Sequence, residues 1–221
     1  GAYDFVSKPL DLVVLRRMVQ QALDLRKPVK IEQQAIIGKS KVFMDLQANI
    51  QRLARSLAPV FISGEAGLGK AQVAKQIHQQ STRAANAFIT VSCSALNDAK
   101  IEQAFFNGHQ SDGSTGFLMA AQGGSLFLED IDQRPQLIQI KLLRIIQERS
   151  FCPISENQDV SLDIRLISAT DKDLSHEVAN NRFRHDLFYR LNVIELVIPA
   201  LREREMDIAL LANEFLQSLA K

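Results

Sequence analysis

Short apolar runs alternate with stretches of helical periodicity along most of the chain. The runs have the length and composition of buried β-strands, and the stretches between them place apolar residues on one face of a helix. This alternation predicts an α/β fold, a parallel sheet flanked by helices. The predicted strands lie at residues 61–63, 87–93, 126–130, 163–170 and 193–198, and the predicted helices at 41–56, 72–80, 136–147 and from about 206 onward.

A different pattern precedes this alternation. Residues 10–26 have helical periodicity, with leucines and a valine near one face. The residues before them end in Lys8-Pro9 and resemble the end of a response-regulator receiver domain, although a chance Lys-Pro before an amphipathic helix is the alternative. We therefore expect a part of a longer protein, with the last strand and helix of a receiver domain at 1–27, a linker at 28–35 and a separate α/β domain at 36–221.

A glycine-rich turn follows the first predicted strand of the α/β domain. Gly64, four further residues and then Gly69-Lys70 have the spacing of a phosphate-binding loop. Glycines let the backbone N–H groups point at phosphate oxygens, and the next helix directs its positive N-terminus at the same anion. We expect Lys70 to reach the β- and γ-phosphates, whereas a simple glycine turn would not need strand, turn and helix in this order. Ala71 stands where a serine or threonine should ligate Mg²⁺, and its side chain has no donor atom.

Composition narrows the class of protein. The net charge of +1 excludes a chain whose whole surface binds polyanions. No apolar run approaches the roughly 20 residues of a membrane span, and no signal peptide is visible, so we expect a cytoplasmic protein without a membrane partner. Cys93 and Cys152 lack the spacing of metal ligands, and we expect them to be reduced thiols.

The landmarks of residues 36–221 resemble the AAA+ domain of bacterial enhancer-binding proteins, the sigma-54 activators of response-regulator type. The resemblance implies an AAA+ P-loop NTPase core with a truncated helical lid, preceded by the receiver-derived helix and linker. Its DNA-binding domain would lie outside this chain. The matching segments are 37–38 (adenine-side entry), 64–71 (G-E-S-G-T-G-K-E), 123–131 (G-G-T-L-F-L-D-E-I), 169–171 (A-T-N sensor), 182–193 (arginine fingers) and 199–208 (P-P-L-R-E-R-x-x-D-I).

Members of this family bind ATP and Mg²⁺ between the subunits of a ring. By resemblance, Glu129 would hold Mg²⁺ through water, Asp130 would orient the attacking water, and Asp171 replaces the sensor asparagine. Arg184 and Arg190 match the arginine fingers, for which solvated surface arginines are the alternative. The implied nucleotide-binding residues are Ile37, Gly38, Gly64, Glu65, Ala66, Gly67, Leu68, Gly69, Lys70 and Ala71.

Several departures from the family pattern fall in the catalytic site. Glu129 occupies the aspartate position and Asp130 the glutamate position. Aspartate is shorter by one methylene, and a misplacement of about 1 Å can cost ~10²-fold in rate. Ser92 replaces an asparagine that restrains the catalytic glutamate, and Leu68 and Ala71 each lack a polar group of the family loop. We therefore predict weak or lost hydrolysis with ATP binding retained.

The surface loop that engages sigma-54 in this family, G-A-F-T-G-A, has no counterpart after Gly108-His109. Residues 110–117 read Q-S-D-G-S-T-G-F, a polar turn. We therefore expect a domain that is not a standard sigma-54 activator.

Three functions remain open at this point. The first is an ATP-binding domain of a two-component transcriptional regulator with weak hydrolysis. The second is an active ring ATPase that remodels the sigma-54 holoenzyme, and the third is an oligomerisation scaffold that binds no nucleotide. The expected partners are further copies of the chain in a dimer or ring, RNA polymerase holoenzyme, and promoter DNA bound through another domain.

Overall fold

The computed structural model describes residues 37–94, 98–108, 115–154 and 158–219. All of them belong to the second of two compact units, Ile36–Lys221. The expected receiver remnant and linker lie outside the described residues, as do residues 109–114 of the segment that replaces the sigma-54 loop. The domain boundaries and the character of that loop therefore stay predictions.

All five predicted strands form, and they join in one parallel sheet. Two further short strands pair as an antiparallel hairpin. The strands are β1 (Val60–Ser63), β2 (Phe88–Ser92), β3 (Ser125–Glu129), β4 (Ser150–Phe151), β5 (Val160–Ser161), β6 (Arg165–Thr170) and β7 (Ile194–Val197). The order in the sheet is β2-β3-β6-β1-β7, and β4 and β5 form the hairpin. The carboxyl ends of β1, β3 and β6 therefore lie next to one another.

Eight α-helices surround the sheet in the described part of the chain. They are α1 (Lys41–Ala54), α2 (Lys70–Gln79), α3 (Asp98–Phe106), α4 (Phe117–Ala120), α5 (Gln136–Glu148), α6 (Leu174–Ala179), α7 (His185–Leu191) and α8 (Glu205–Leu219). None of the helices among the described residues is long and apolar enough to cross a bilayer. Helices α3, α4, α6 and α7 and the β4–β5 hairpin are elements that the apolar pattern did not predict.

Both faces of the sheet are buried, which explains why its strands read as continuous apolar runs. Along β3, Leu126 and Leu128 belong to one core cluster and Phe127 belongs to the other, because successive side chains point to opposite faces. Helices α3, α5 and α7 contribute to the first cluster, and α1 and α2 to the second. Two-sided packing holds the ends of the strands, and the loops that follow them, in fixed positions.

Helix α1 shows how local sequence and packing act together. The Ser40 hydroxyl caps its N-terminus by accepting a hydrogen bond from the Phe43 amide at 3.2 Å. Arg165, at the start of β6, is only 1% exposed and donates to the Leu53 carbonyl at 2.6 Å. A buried cation thus meets the negative end of the helix, where carbonyls lack partners within the helix.

The observed bounds differ slightly from the predicted ones. Helix α2 begins at Lys70 rather than at residue 72, because Gly69 has φ of 83° and lets the chain enter the helix directly from the loop. Helix α1 ends at Ala54 rather than at residue 56, and α8 begins at Glu205. These differences leave the order and type of the predicted elements unchanged.

Candidate nucleotide site

The predicted phosphate-binding loop connects β1 to α2 at the carboxyl edge of the sheet. Gly67 and Gly69 have φ values of 81° and 83°, a region that side chains with a Cβ disfavour. Lys70 is only 8% exposed, and its ammonium group donates to the carbonyls of Gly64 at 2.9 Å and Glu65 at 3.1 Å. The loop therefore has the curvature of an anion-binding turn, with the lysine folded against it.

The two apolar departures in this loop have a structural explanation. The side chains of Leu68 and Ala71 pack against the core cluster beneath α1 and α2. Glu65 and Ala66 are exposed on the outer side, where the Glu65 carboxylate pairs with Arg202 at 2.7 Å. Leu68 and Ala71 thus anchor the loop through apolar contacts and offer no polar atom to a ligand.

Glu129 ends β3 close to the loop. Burial raises the pKa of Glu129, the charge of Asp130 raises it further, and the charge of Lys70 opposes the shift. Ser63 at the end of β1 pairs with Thr170, and Glu129 at the end of β3 pairs with Ala169, so the phosphate loop and the acidic segment leave the same edge of the sheet, where ligands bind in parallel α/β proteins. The sequence prediction that these two motifs meet is therefore supported by their geometry.

Asp130 has a left-handed backbone, with φ of 54° and ψ of 47°. The Ser94 hydroxyl donates to its Oδ2 atom at 2.8 Å, and the hydroxyls of Ser92 and Ser94 lie 3.1 Å apart. Ser92, expected at the position that restrains the catalytic acid, is thus linked to Asp130 through Ser94. The sequence analysis missed Ser94, because only the pairing of β2 with β3 brings it next to Asp130.

Asp132 is a second residue that the sequence analysis missed. It lies in the short 3₁₀ turn Ile131–Gln133, and its carboxylate is fully buried. It accepts a hydrogen bond from the Thr170 hydroxyl at 2.6 Å and pairs with Lys172 at 2.8 Å. Asp132 therefore joins the acidic segment after β3 to the sensor-like segment after β6, whereas the candidate sensor Asp171 is exposed.

The two candidate finger arginines lie around α7. Arg184 pairs with Asp186 at 2.7 Å, and its backbone N–H donates to the Gln139 side chain at 2.9 Å. Arg190 is exposed and has no hydrogen bond or ion pair with any residue that the structure describes. It borders a mainly apolar cavity of about 280 Å³, to which no residue of the phosphate loop contributes. Among the described residues, neither arginine has a hydrogen bond or ion pair with the phosphate loop of its own subunit.

A magnesium ion usually takes one or two protein carboxylates and completes its shell with water and phosphate oxygens. Glu129, beside the phosphate loop, fits that requirement, and Ala71 does not. Among the described residues there is no cluster of three or more histidine, cysteine, aspartate or glutamate side chains that could hold a metal. Cys93 is buried and Cys152 is exposed, and no disulfide joins them.

The fold and the loop define an AAA+ P-loop NTPase core. A P-loop NTPase domain of a sigma-54 transport activator from Escherichia coli shares this fold, with a TM-score of 0.53 over 75% of this chain and 99% of that one at 22% identity. NtrX from Brucella abortus, crystallised in complex with ATP, matches the whole chain and 53% of its own, with a TM-score of 0.81 and 32% identity. The structure of NtrX in complex with ADP matches all of this chain over 52% of the NtrX chain, with a TM-score of 0.82 and 33% identity.

Residues 36–197 match the sigma-54 interaction domain family, and the chain belongs to that family. The response regulator protein PilR of Pseudomonas aeruginosa is 46% identical over an alignment of 230 residues that covers all of this chain and 52% of PilR. The regulatory protein AtoC of Escherichia coli K12 is 43% identical over all of this chain and 52% of AtoC. The chain thus spans about half the length of the curated relatives it matches.

Proposed function

We propose that this chain is the ATP-binding AAA+ domain of a bacterial two-component transcriptional regulator, and that it hydrolyses ATP slowly or not at all. The observation that carries the proposal is the exchange of acids at the end of β3. The longer Glu129 lies at the metal-binding position, and the shorter Asp130, held by Ser94, lies at the position of the general base.

Binding rests on the phosphate loop. Its backbone N–H groups and the N-terminus of α2 favour an anion, and Lys70 is placed to exchange its two carbonyl contacts for phosphate oxygens. In this proposal Ile37 and Gly38 lie against the nucleobase, and residues 64–71 hold the phosphates. The complex of NtrX with ATP supports this assignment for a relative with the same fold.

Weak hydrolysis follows from the side-chain lengths of Glu129 and Asp130. A general base must lie within about 3 Å of the proton that it accepts. The Asp130 carboxylate ends one methylene short of a glutamate, and the Ser94 hydroxyl holds it toward the turn after β2. Glu129 would contact Mg²⁺ through water, while Ala71 would leave one metal position to solvent. Nucleotide is therefore bound more effectively than it is cleaved.

The wider role is proposed from the family and its relatives. In the longer protein, a receiver domain ending at residue 27 and a linker at 28–35 precede the ATP-binding domain at 36–221. We expect a cytoplasmic regulator that self-associates as a dimer or ring and acts on RNA polymerase holoenzyme, with promoter DNA bound by another domain. The polar segment 110–117 supports contacts with the polymerase that differ from those of standard sigma-54 activators.

One observation favours a second candidate, an active ring ATPase. Among the described residues Arg190 has no partner, as required of a cation that acts in the site of a neighbouring subunit. In that case Arg184 would leave Asp186 on assembly, and Asp171 would sense the γ-phosphate. Turnover per subunit would then rise with protein concentration.

Calorimetry of ATP binding with Mg²⁺, beside a phosphate-release assay on the same sample, tests the proposal. Micromolar binding without release is the expected result, with Lys70→Ala as the control that removes binding. Release that increases with protein concentration would favour the ring ATPase. Absence of binding in the wild-type protein would overturn the proposal and favour the nucleotide-free scaffold.

A further inference from the structure

A buried carboxylate on α8 holds the segment that precedes α1. Asp207 is 0% exposed and accepts hydrogen bonds from the Lys39 amide at 2.6 Å, the Ser40 amide at 2.9 Å and the Ser40 hydroxyl at 2.7 Å. The partners are separated by 167 or 168 residues in sequence. Charge-assisted hydrogen bonds of this kind are about twice as strong as neutral ones, so the contact holds residues 37–40 firmly against α8.

Packing around Gly38 leaves no room for a side chain. A Cβ atom on Gly38 would lie 2.5 Å from the Phe43 ring and 2.8 Å from the Asp207 Oδ2 atom. Arg204 is only 5% exposed, and its guanidinium lies 5.9 Å from the centre of the Phe43 ring. The Gly38 backbone, the Phe43 ring and the Asp207 carboxylate are therefore close together, and a side chain at position 38 would displace at least one of them.

The stretch that carries Asp207 also contacts the phosphate loop. The Ile198 amide donates to the Ser63 carbonyl at 2.8 Å, directly before the loop. Arg202 then pairs with Glu65 within the loop at 2.7 Å. Residues 198–207 thus bind the phosphate loop at one end and residues 39–40 at the other, and they set the position of one relative to the other.

We infer that Asp207 is a positioning residue for the nucleobase of a purine nucleoside triphosphate. It fixes the segment that contains Ile37 and Gly38 to the stretch 198–207, which also contacts the phosphate loop. The distance between the bound nucleobase and the bound triphosphate would therefore be set by this contact. The inference rests on the proposed nucleotide binding and deepens it, because it makes affinity for the base depend on the first turn of α8. The Asp207 carboxylate hydrogen-bonds to Lys39 and Ser40 and acts on the nucleobase through them.

The charge of Asp207 is maintained in spite of its burial. Burial alone would raise the pKa of Asp207, but the amides of Lys39 and Ser40, the Ser40 hydroxyl and the charge of Arg204 together lower it below its ordinary value. The carboxylate is therefore ionised at neutral pH. Replacing it by an amide keeps the shape, but it removes the charge and turns one acceptor into a donor facing an N–H or O–H group.

The test compares two ligands on variants of the same 221-residue chain. Asp207→Asn should weaken ATP binding about tenfold, the effect of losing one charge-assisted hydrogen bond. Its affinity for inorganic triphosphate, which needs only the phosphate loop, should stay within about twofold of wild type. Glu205→Gln, an exposed carboxylate change on the same helix, is the matched control and should alter neither affinity.

A second variant tests the inference independently, in case Asp207→Asn does not fold. Gly38→Ala leaves every hydrogen-bonding group in place and pushes the segment away from Phe43 and Asp207. It should therefore weaken ATP binding about as much as Asp207→Asn does and leave the affinity for inorganic triphosphate unchanged. Unchanged ATP affinity in both variants, or an equal loss for ATP and triphosphate, would overturn the inference while the proposed function stands. Failure of the wild-type chain to bind ATP would overturn both.

Discussion

Exchanging the two acids at the end of β3 should restore hydrolysis. In Glu129→Asp/Asp130→Glu the carboxylate at the second position moves outward by one C–C bond, about 1.5 Å. Its longer side chain also reaches past the Ser94 hydroxyl that now holds Asp130 at 2.8 Å. A misplacement of about 1 Å costs ~10²-fold, so we expect a gain in kcat of about 10²-fold. This corresponds to about 2.7 kcal/mol of transition-state stabilisation, at 1.36 kcal/mol for each factor of ten.

The assay is steady-state phosphate release at saturating ATP and Mg²⁺, with ATP affinity measured on the same variants. Glu129→Asp alone leaves two aspartates and should remain as slow as wild type, which separates the reach of the second acid from any effect of changing the first. Affinity should change little, because the loop and Lys70 are untouched. Equal turnover in the double variant and in wild type would refute the argument that the length of these side chains limits hydrolysis.

Three other changes test the site and the fold. Lys70→Ala should lower ATP affinity at least about 100-fold in calorimetry, because it removes the cation that faces the phosphates. Glu129→Gln should stabilise the protein slightly at pH 7.5, because burial and the charge of Asp130 raise the pKa of Glu129 and so disfavour its ionised form in the folded state. Because the pKa of Glu129 is higher in the folded state than in the unfolded state, wild type loses stability as the pH rises from the unfolded-state pKa through the folded-state pKa. The stability advantage of Glu129→Gln should therefore vanish toward pH ~4 in thermal melts. Phe127→Ala should cost about 3–5 kcal/mol in denaturant unfolding, because Phe127 is fully buried in β3.

The sheet could be predicted from sequence because its strands are buried on both faces. Phe127 and Leu128 pack into opposite clusters, so the run around them contains no polar interruption. The β4–β5 hairpin has two residues in each strand, too few for any periodicity to appear. The order β2-β3-β6-β1-β7 could not be read from the pattern, since neighbours in the sheet are set by packing between distant segments.

The candidate site likewise contains residues that could be predicted from the sequence and residues that only the fold brings together. The phosphate loop is a local feature, and its glycines and Lys70 are recognisable from spacing alone. Ser94 and Asp132 act across neighbouring strands, on partners 36 and 38 residues away, and their types carry no signal in isolation. The contact of Asp207 with Ser40 spans 167 residues and becomes visible only once the first turn of α8 meets the N-terminus of α1.

The fate of a single bound nucleotide tests the central claim most directly. The protein is mixed in excess with radiolabelled ATP and Mg²⁺, and the bound nucleotide is quenched and separated over time. We predict that it is recovered mainly as ATP for many minutes and at every protein concentration. Rapid appearance of ADP, at a rate that rises with protein concentration, would contradict the claim and establish the chain as an active, assembling ATPase.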